Sequence, residues 1–185
     1  MKLGKALYFG DFVAIPVAIA ALAAWTIPGR GLVGPFEWLA SFAVGLFAWT
    51  LVEYVVHRWV FHAVPYFEKF HDAHHEEPLA LIGTPSFASS GSILAGFFLV
   101  PLALTGVLFA SGFASGALLG YAGYMAVHHA VHHFQPRPGG ALYRARLRHM
   151  AHHYHGAHGN YGVTTPVWDM LFGTVVEGRR RAAQA

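Results

Sequence analysis

Four long apolar runs separate the polar stretches of this chain, at roughly 9–27, 36–56, 91–110 and 113–131. A helix needs about 20 predominantly apolar residues to cross a bilayer core, so each run predicts one membrane-spanning helix. Pro28, Gly29, Gly31, Gly34 and Pro35 break the first pair, and Ser111-Gly112 is expected to make a very tight turn within the second pair. The pattern therefore predicts an all-α protein in one integral-membrane domain: a four-helix transmembrane stem carrying a cytosolic, histidine-rich helical cap.

Two hairpins place residues 1–8, 57–90 and 132–185 on one face and only the loop around Arg30 on the other. Eleven of the twelve lysines and arginines fall on the first face, which the positive-inside bias makes cytoplasmic, together with both termini. Met1-Lys-Leu-Gly-Lys5 before an apolar run imitates a signal peptide. It reads as a retained anchor, because the run reaches Trp25 without a convincing small-residue cleavage site. Gly112, Gly116 and Gly120 form a small-xxx-small ladder suited to close helix contact, inside the bundle or, alternatively, along the seam of an oligomer.

Composition sharpens the picture. Hydrophobic residues make up 55% of the chain and charged ones 11%, which points to the membrane as solvent. The absence of cysteine excludes disulfides, thiolate zinc sites, iron–sulfur clusters and cysteine nucleophiles. Any metal must be held by nitrogen and oxygen, and 14 histidines against nine acids make nitrogen the abundant donor. The net charge of +3 comes from scattered basic residues and gives no nucleic-acid footprint.

The histidines cluster: His57-Arg-Trp-Val-Phe-His62, His71-Asp-Ala-His74-His75, Val127-His-His-Ala-Val-His-His-Phe134 and His149-Met-Ala-His152-His153. H-x-x-H-H places three rings at i, i+3 and i+4 on one helix face. A lone histidine on an apolar face is usually a packed core residue, but four clusters at ligand spacing are not four such residues. Left without partners, their buried nitrogens would cost about 1–3 kcal/mol each. About ten ring nitrogens exceed the needs of one ion, so two metals are expected. Imidazole suits zinc, copper, iron or nickel, and a closed four-ligand structural zinc site would leave most rings unexplained.

Neutral ligands leave the metal charge uncompensated, so carboxylates are expected behind them, holding ring N–H groups and fixing tautomers. Glu53, Asp72, Glu76, Glu77 and Asp169 are the candidates. Glu53 is the most telling, one helical turn before His57 in an apolar run where an ionisable group is costly; its alternative is a residue snorkelling at the helix end. In the quartet, spacing leaves three readings open: His128 with His132, His129 with His133, or His129, His132 and His133 as a further H-x-x-H-H.

Glu53-Tyr-Val-Val-His57-Arg-Trp-Val-Phe-His62, the two H-x-x-H-H motifs and Trp168-Asp169-Met-Leu-Phe-Gly173-Thr174 together resemble the fatty acid hydroxylase and sterol desaturase superfamily of integral-membrane di-iron enzymes. The resemblance runs from about residue 49 to 176 and is closest in spacing to fatty acid 2-hydroxylases. It implies two iron ions, with zinc as a substitute after overexpression, and O2 as co-substrate. The family's third motif, H-x3-H with a tyrosine four residues before and a proline four after, fits Tyr124, His128, His132 and Pro136. The implied ligands are then His57, His62, His71, His74, His75, His128, His132, His149, His152 and His153, and Glu53 and Asp169 are expected to be the catalytic carboxylates of the site. His129, His133, His155 and His158 exceed the family's count.

Eukaryotic members carry a cytochrome b5 domain with a His-Pro-Gly-Gly haem motif, where this chain has Arg137-Pro138-Gly139-Gly140. Electrons are therefore expected from a separate cytochrome b5-like or ferredoxin-like protein. The implied reaction is oxygen-dependent hydroxylation or desaturation of a membrane-borne acyl chain, sterol or carotenoid. Trp59, Phe61, Tyr66, Phe67 and Phe70 are candidates for its entry, or simply an interfacial aromatic belt. The alternatives are a membrane metal-binding or transport protein, which would need an ionisable ladder across the bilayer that is absent from the sequence, and a metal-dependent hydrolase using Glu53 or Asp169 as base.

Overall fold

The computed structural model describes residues 2–154 and 158–176. Its helices are α1 (Lys5–Phe9), α2 (Asp11–Thr26), α3 (Val33–Val55), α4 (Pro65–Glu76), α5 (Ser86–Leu104), α6 (Val107–His133), α7 (Ala141–Tyr154) and α8 (Val167–Leu171), and α3 runs on into a π-helical turn, Val56–Phe61. Among the described residues the only β feature is an isolated antiparallel bridge between Lys2 and Ile82.

Four stretches are long and apolar enough to cross a membrane: Lys5–Thr26, Val33–Phe61, Ser86–Leu104 and Val107–His133. Their outward side chains are apolar and bare, with Phe36 73% and Leu104 79% exposed. An apolar surface of that extent is stable against lipid and not against water. The chain is a membrane protein.

The expected turn at Ser111-Gly112 is not there. The chain reverses at Thr105-Gly106, where Gly106 takes φ +124, so the third span, Ser86–Leu104, lies several residues earlier than the run 91–110, and the fourth, Val107–His133, starts earlier than 113 and ends just beyond 131. Gly106 supplies the backbone freedom the reversal needs. Ser111 and Gly112 are instead buried inside α6, where the Ser111 hydroxyl meets that of Thr26 at 2.7 Å.

The small residues of α6 explain its central position. A Cβ on Gly112 would stand 2.5 Å from the Trp38 carbonyl oxygen, and one on Gly116 would stand 2.0 Å from that of Phe42. A Cβ on Gly120 would strike the Trp49 ring at 2.6 Å, and Gly45 of α3 meets the Phe113 carbonyl in the same way at 1.9 Å. The ladder is spent on contact with α3 within the chain, and it offers no free face for the oligomer seam that was its alternative reading.

The cap is built by helix stops at one end of this stem. Pro65 opens α4 at its first turn, where the missing N–H costs nothing, and Pro78 follows just after its end. Phe134 leaves α6 in an extended conformation ahead of Pro136 and Pro138. α7 begins beyond Gly139, which holds φ +84. Lys2 pairs with Glu77 at 2.7 Å, so the start of the chain lies against the end of α4 in the cap. His155 and Arg179, Arg180 and Arg181 fall outside the described residues.

Candidate metal centre

Four elements aim histidines at one volume. His57 and His62 lie on or just past the π-turn. In a regular α-helix, residues five apart are rotated by about 140°, whereas the i→i+5 bonding of a π-turn brings them onto one face, as i and i+4 are in an α-helix. Their rings accordingly stack at 5.3 Å between centroids. α4 contributes His71, His74 and His75, the end of α6 contributes His128 and His132, and α7 contributes His149, His152 and His153.

The donor atoms fall into two groups, each within 4.8 Å: His57, His62, His71 and His152, and His74, His128, His132, His149 and His153. Each H-x-x-H-H helix divides its rings between them, so one helix face serves both groups. His75 joins the first through its Nε2, 3.1 Å from that of His71, while its ring stacks on His153 at 4.1 Å. His129 and His133 turn away. They stack on each other at 4.0 Å, and His129 packs against Tyr8 and Phe9 of α1. His158 is exposed.

The first group shows what it is built to receive. His57 Nδ1 stands 2.7 Å from the Tyr161 carbonyl oxygen and His152 Nδ1 2.8 Å from that of Gly159. A carbonyl only accepts, so both rings carry their proton on Nδ1 and present a bare lone pair on Nε2. Those two lone pairs face each other at 3.0 Å, an arrangement that repels unless a cation lies among them. The four Nε2 atoms close a quadrilateral with edges of 3.0, 3.1, 3.1 and 3.2 Å. The centre of a square of that size is about 2.2 Å from each corner, against about 2.0–2.1 Å for nitrogen on a divalent metal. Edges of this length would put all four nitrogens within reach of a single divalent ion.

The second group has its closest approach between His132 and His149 Nε2 at 2.8 Å, and His74 Nε2 is buried with no partner among the described residues. Burial pushes His62 and His74 down to about 4 and His152 down to about 3, and holds His71 and His153 lower still. The rings are therefore neutral donors at ordinary pH.

The carboxylates act one step further back than the sequence suggests. Neither Glu53 nor Asp169 touches a histidine. Between them they catch four consecutive backbone N–H groups: Tyr161 and Gly162 donate to Asp169 at 2.9 and 2.8 Å, and Val163 and Thr164 donate to Glu53 at 2.7 and 2.9 Å. The Thr164 hydroxyl adds a bond to Glu53 at 2.6 Å. The loop so gripped carries the Gly159 and Tyr161 carbonyls that hold His152 and His57. Ring tautomers are fixed by backbone, and backbone by carboxylate. Asp72, Glu76 and Glu77 stay exposed on and just beyond α4 and, among the described residues, take no ring N–H.

Asn160, at the hinge of this loop, is missing from the sequence reading. It is 1% exposed and takes φ +54, a left-handed conformation that asparagine tolerates better than most residues. Its amide donates to the Arg148 and Val176 carbonyls and its oxygen accepts from Val176 N–H, tying α7 to the segment after α8. The available signal is the run Gly159-Asn160-Tyr161-Gly162, turn chemistry directly downstream of an H-x-x-H-H motif.

A cavity of about 600 Å³ opens onto His71, His74 and His128. Val52, Val56, Phe61, Phe70, Phe97 and Met125 make its walls largely apolar, and Tyr66 and Phe67 also line it. Trp59 does not: it points outward, half exposed, beneath the Arg58 guanidinium. The cavity runs along α6 from His128 to Tyr121, about 10 Å deeper into the stem.

Residues 42–174, which contain both histidine groups and both carboxylates, match the model of the family described as fatty acid hydroxylase. Fatty acid 2-hydroxylase of Rattus norvegicus is 33% identical over 156 residues, 75% of this chain and 40% of that protein. Dihydroceramide fatty acyl 2-hydroxylase FAH1 of Arabidopsis thaliana is 30% identical over 175 residues, 88% of this chain and 72% of that one. The solved structure of full-length scs7p, in which only the hydroxylase domain is visible, superposes with a TM-score of 0.72 at 25% identity over 95% of this chain and 67% of that one. This chain spans about two fifths of the length of the rat relative. By its matched residues and its shared fold, it belongs to the fatty acid hydroxylase family.

Proposed function

We propose that the chain is an oxygen-dependent lipid hydroxylase holding two iron ions, one in each histidine group, and acting on a C–H bond of an acyl chain. The supporting observation is the junction of converging, proton-free imidazole nitrogens with the mouth of an apolar cavity deep enough for an alkyl chain. Cavities of this size and lining are typical of small-ligand sites. Bound iron would supply dioxygen activation, the step for which protein side chains have no equivalent. One oxygen atom enters the C–H bond, the other leaves as water, and a separate donor, cytochrome b5-like or ferredoxin-like, provides the electron pair.

The protein's own share is placement. The ten rings hold the metals, Phe61, Phe67 and Phe70 keep water from the cavity mouth, and Glu53 and Asp169 are positioning residues that act through the loop. Hydroxylation is favoured over desaturation because the relatives of comparable sequence are named as 2-hydroxylases. The cap and both termini face the cytoplasm in this reading. Lipid mass spectrometry on cells with and without the gene tests it: a gain of one oxygen on an acyl chain is expected, and a loss of two hydrogens would make the chain a desaturase. Metal analysis after growth in iron is expected to give two ions per chain, with zinc replacing iron under overexpression. Metal flux across vesicles with no change in lipids would favour the metal-transport alternative.

A further inference from the structure

α7 carries three arginines, and the fold uses them unequally. Arg146 donates to the carbonyls of Val131 and Phe134, satisfying groups that the end of α6 leaves open. Arg144 donates to the Gly139 carbonyl at 2.5 Å. The Arg148 side chain has no hydrogen-bond partner among the described residues, and its Nε is buried. The neighbouring carboxylate, Asp169, is committed to the Tyr161–Gly162 backbone. A buried guanidinium N–H without an acceptor is costly, and on this half-buried side chain the remaining donors of the fixed fork suit an oxyanion.

Arg144 and Arg148 are four residues apart, on one face of the helix, and both line a second cavity of about 470 Å³. Its other walls include Val127, Leu142, Ala145 and Pro166, and it shares no lining residue with the larger cavity beside the metal centre. Val127 lies about 200° round α6 from Met125, which faces that larger cavity. It also lies in the last two turns of the span, the level at which hydrocarbon gives way to headgroups.

We propose that this cavity binds the anionic headgroup of a membrane phospholipid. Arg148 and Arg144 take the phosphate oxygens, as arginine pairs do with high geometric specificity, and the apolar wall takes the first methylenes of the tails. The wall favours a lipid over free phosphate, since an inorganic ion would leave it uncovered.

The experiment measures thermal unfolding of the purified full chain in neutral detergent with added phosphatidylglycerol, phosphatidylcholine or inorganic phosphate. Phosphatidylglycerol is expected to raise the midpoint by a few degrees, with the other two additions leaving it in place. Arg148→Gln is expected to lose that shift and Arg148→Lys to keep part of it. If Arg148→Gln does not fold, Arg144→Gln, on an exposed side chain, carries the same comparison with an expected loss of about half the shift. An equal shift with inorganic phosphate overturns the lipid assignment, and an equal shift with phosphatidylcholine, whose phosphate is offset by the choline cation, overturns the assignment to an anionic headgroup. So does a shift that survives Arg144→Gln and Arg148→Gln together, or no shift at all, which would mean that Arg148 finds its acceptor within the chain.

Discussion

Glu53 and His128 show how much one side chain decides here. Glu53 accepts three hydrogen bonds from the loop that holds His57, and leaving a buried donor unsatisfied costs about 1–3 kcal/mol. Glu53→Ala should free that loop and lower metal affinity or turnover by about 10–100-fold, with the metal count falling towards one because only the first group leans on the loop. Glu53→Gln should fall between, since its one remaining oxygen still serves Val163 and Thr164. Metal content and product formation on folded protein measure both, and wild-type values in Glu53→Ala would show that His57 needs no such support. The quartet gives a second test. His128→Ala and His132→Ala should lose metal and product, whereas His129→Ala and His133→Ala, whose rings stack on each other with His129 against α1, should retain both. The reverse pattern would mean that the four rings have been divided wrongly.

Among the elements, α6 depends on glycines at defined positions. Gly116→Ala sets a methyl 2.0 Å from the Phe42 carbonyl oxygen, whereas Gly123→Ala meets nothing within 4 Å. The first should cost at least about 1–3 kcal/mol by forcing α3 and α6 apart, and the second should be neutral or stabilising by up to about 1 kcal/mol through the helix it favours. Thermal unfolding in detergent separates them; equal midpoints would show that the helices part at no cost. The same elements mark where the sequence was legible. Apolar runs and ligand spacing gave the spans and the histidine faces, because both are periodic signals carried by consecutive residues. The turn at Thr105-Gly106 was missed because Ser111-Gly112 has the same small, polar composition, and only contact with Trp38 and Thr26 reveals that it is packing. The carboxylates were found but aimed at the wrong partner. Their true partners are backbone N–H groups: those of Asp169 lie 7 and 8 residues away, but those of Glu53 lie 110 and 111 residues away, a pairing that no local pattern encodes. Asn160 escaped although the turn run Gly159-Asn160-Tyr161-Gly162 marks its place, because nothing in that run names its partners on Arg148 and Val176.

At the scale of the whole molecule, the remaining question is which way the stem points. Both ends of the described chain lie at the histidine end of the stem: Lys2 pairs with Glu77 beside α4, and Asn160 binds both α7 and Val176. Four crossings would put them on one side of the bilayer. Of the basic residues in the described segments, Lys2, Lys5, Arg58, Lys69, Arg137, Arg144, Arg146 and Arg148 lie at the histidine end, and only Arg30 lies at the other. Loops this short obey the positive-inside bias, so the cap should face the cytoplasm, where a soluble electron donor could reach it. The chain has no cysteine, which makes the test clean. Leu32→Cys, in the outer loop at a position 84% exposed, should react with a membrane-impermeant maleimide on intact cells. Glu76→Cys, exposed on α4, should react only after the membrane is opened. Labelling of Glu76→Cys on intact cells, with Leu32→Cys protected, would invert the molecule and put the metal centre on the side away from cytoplasmic reductant.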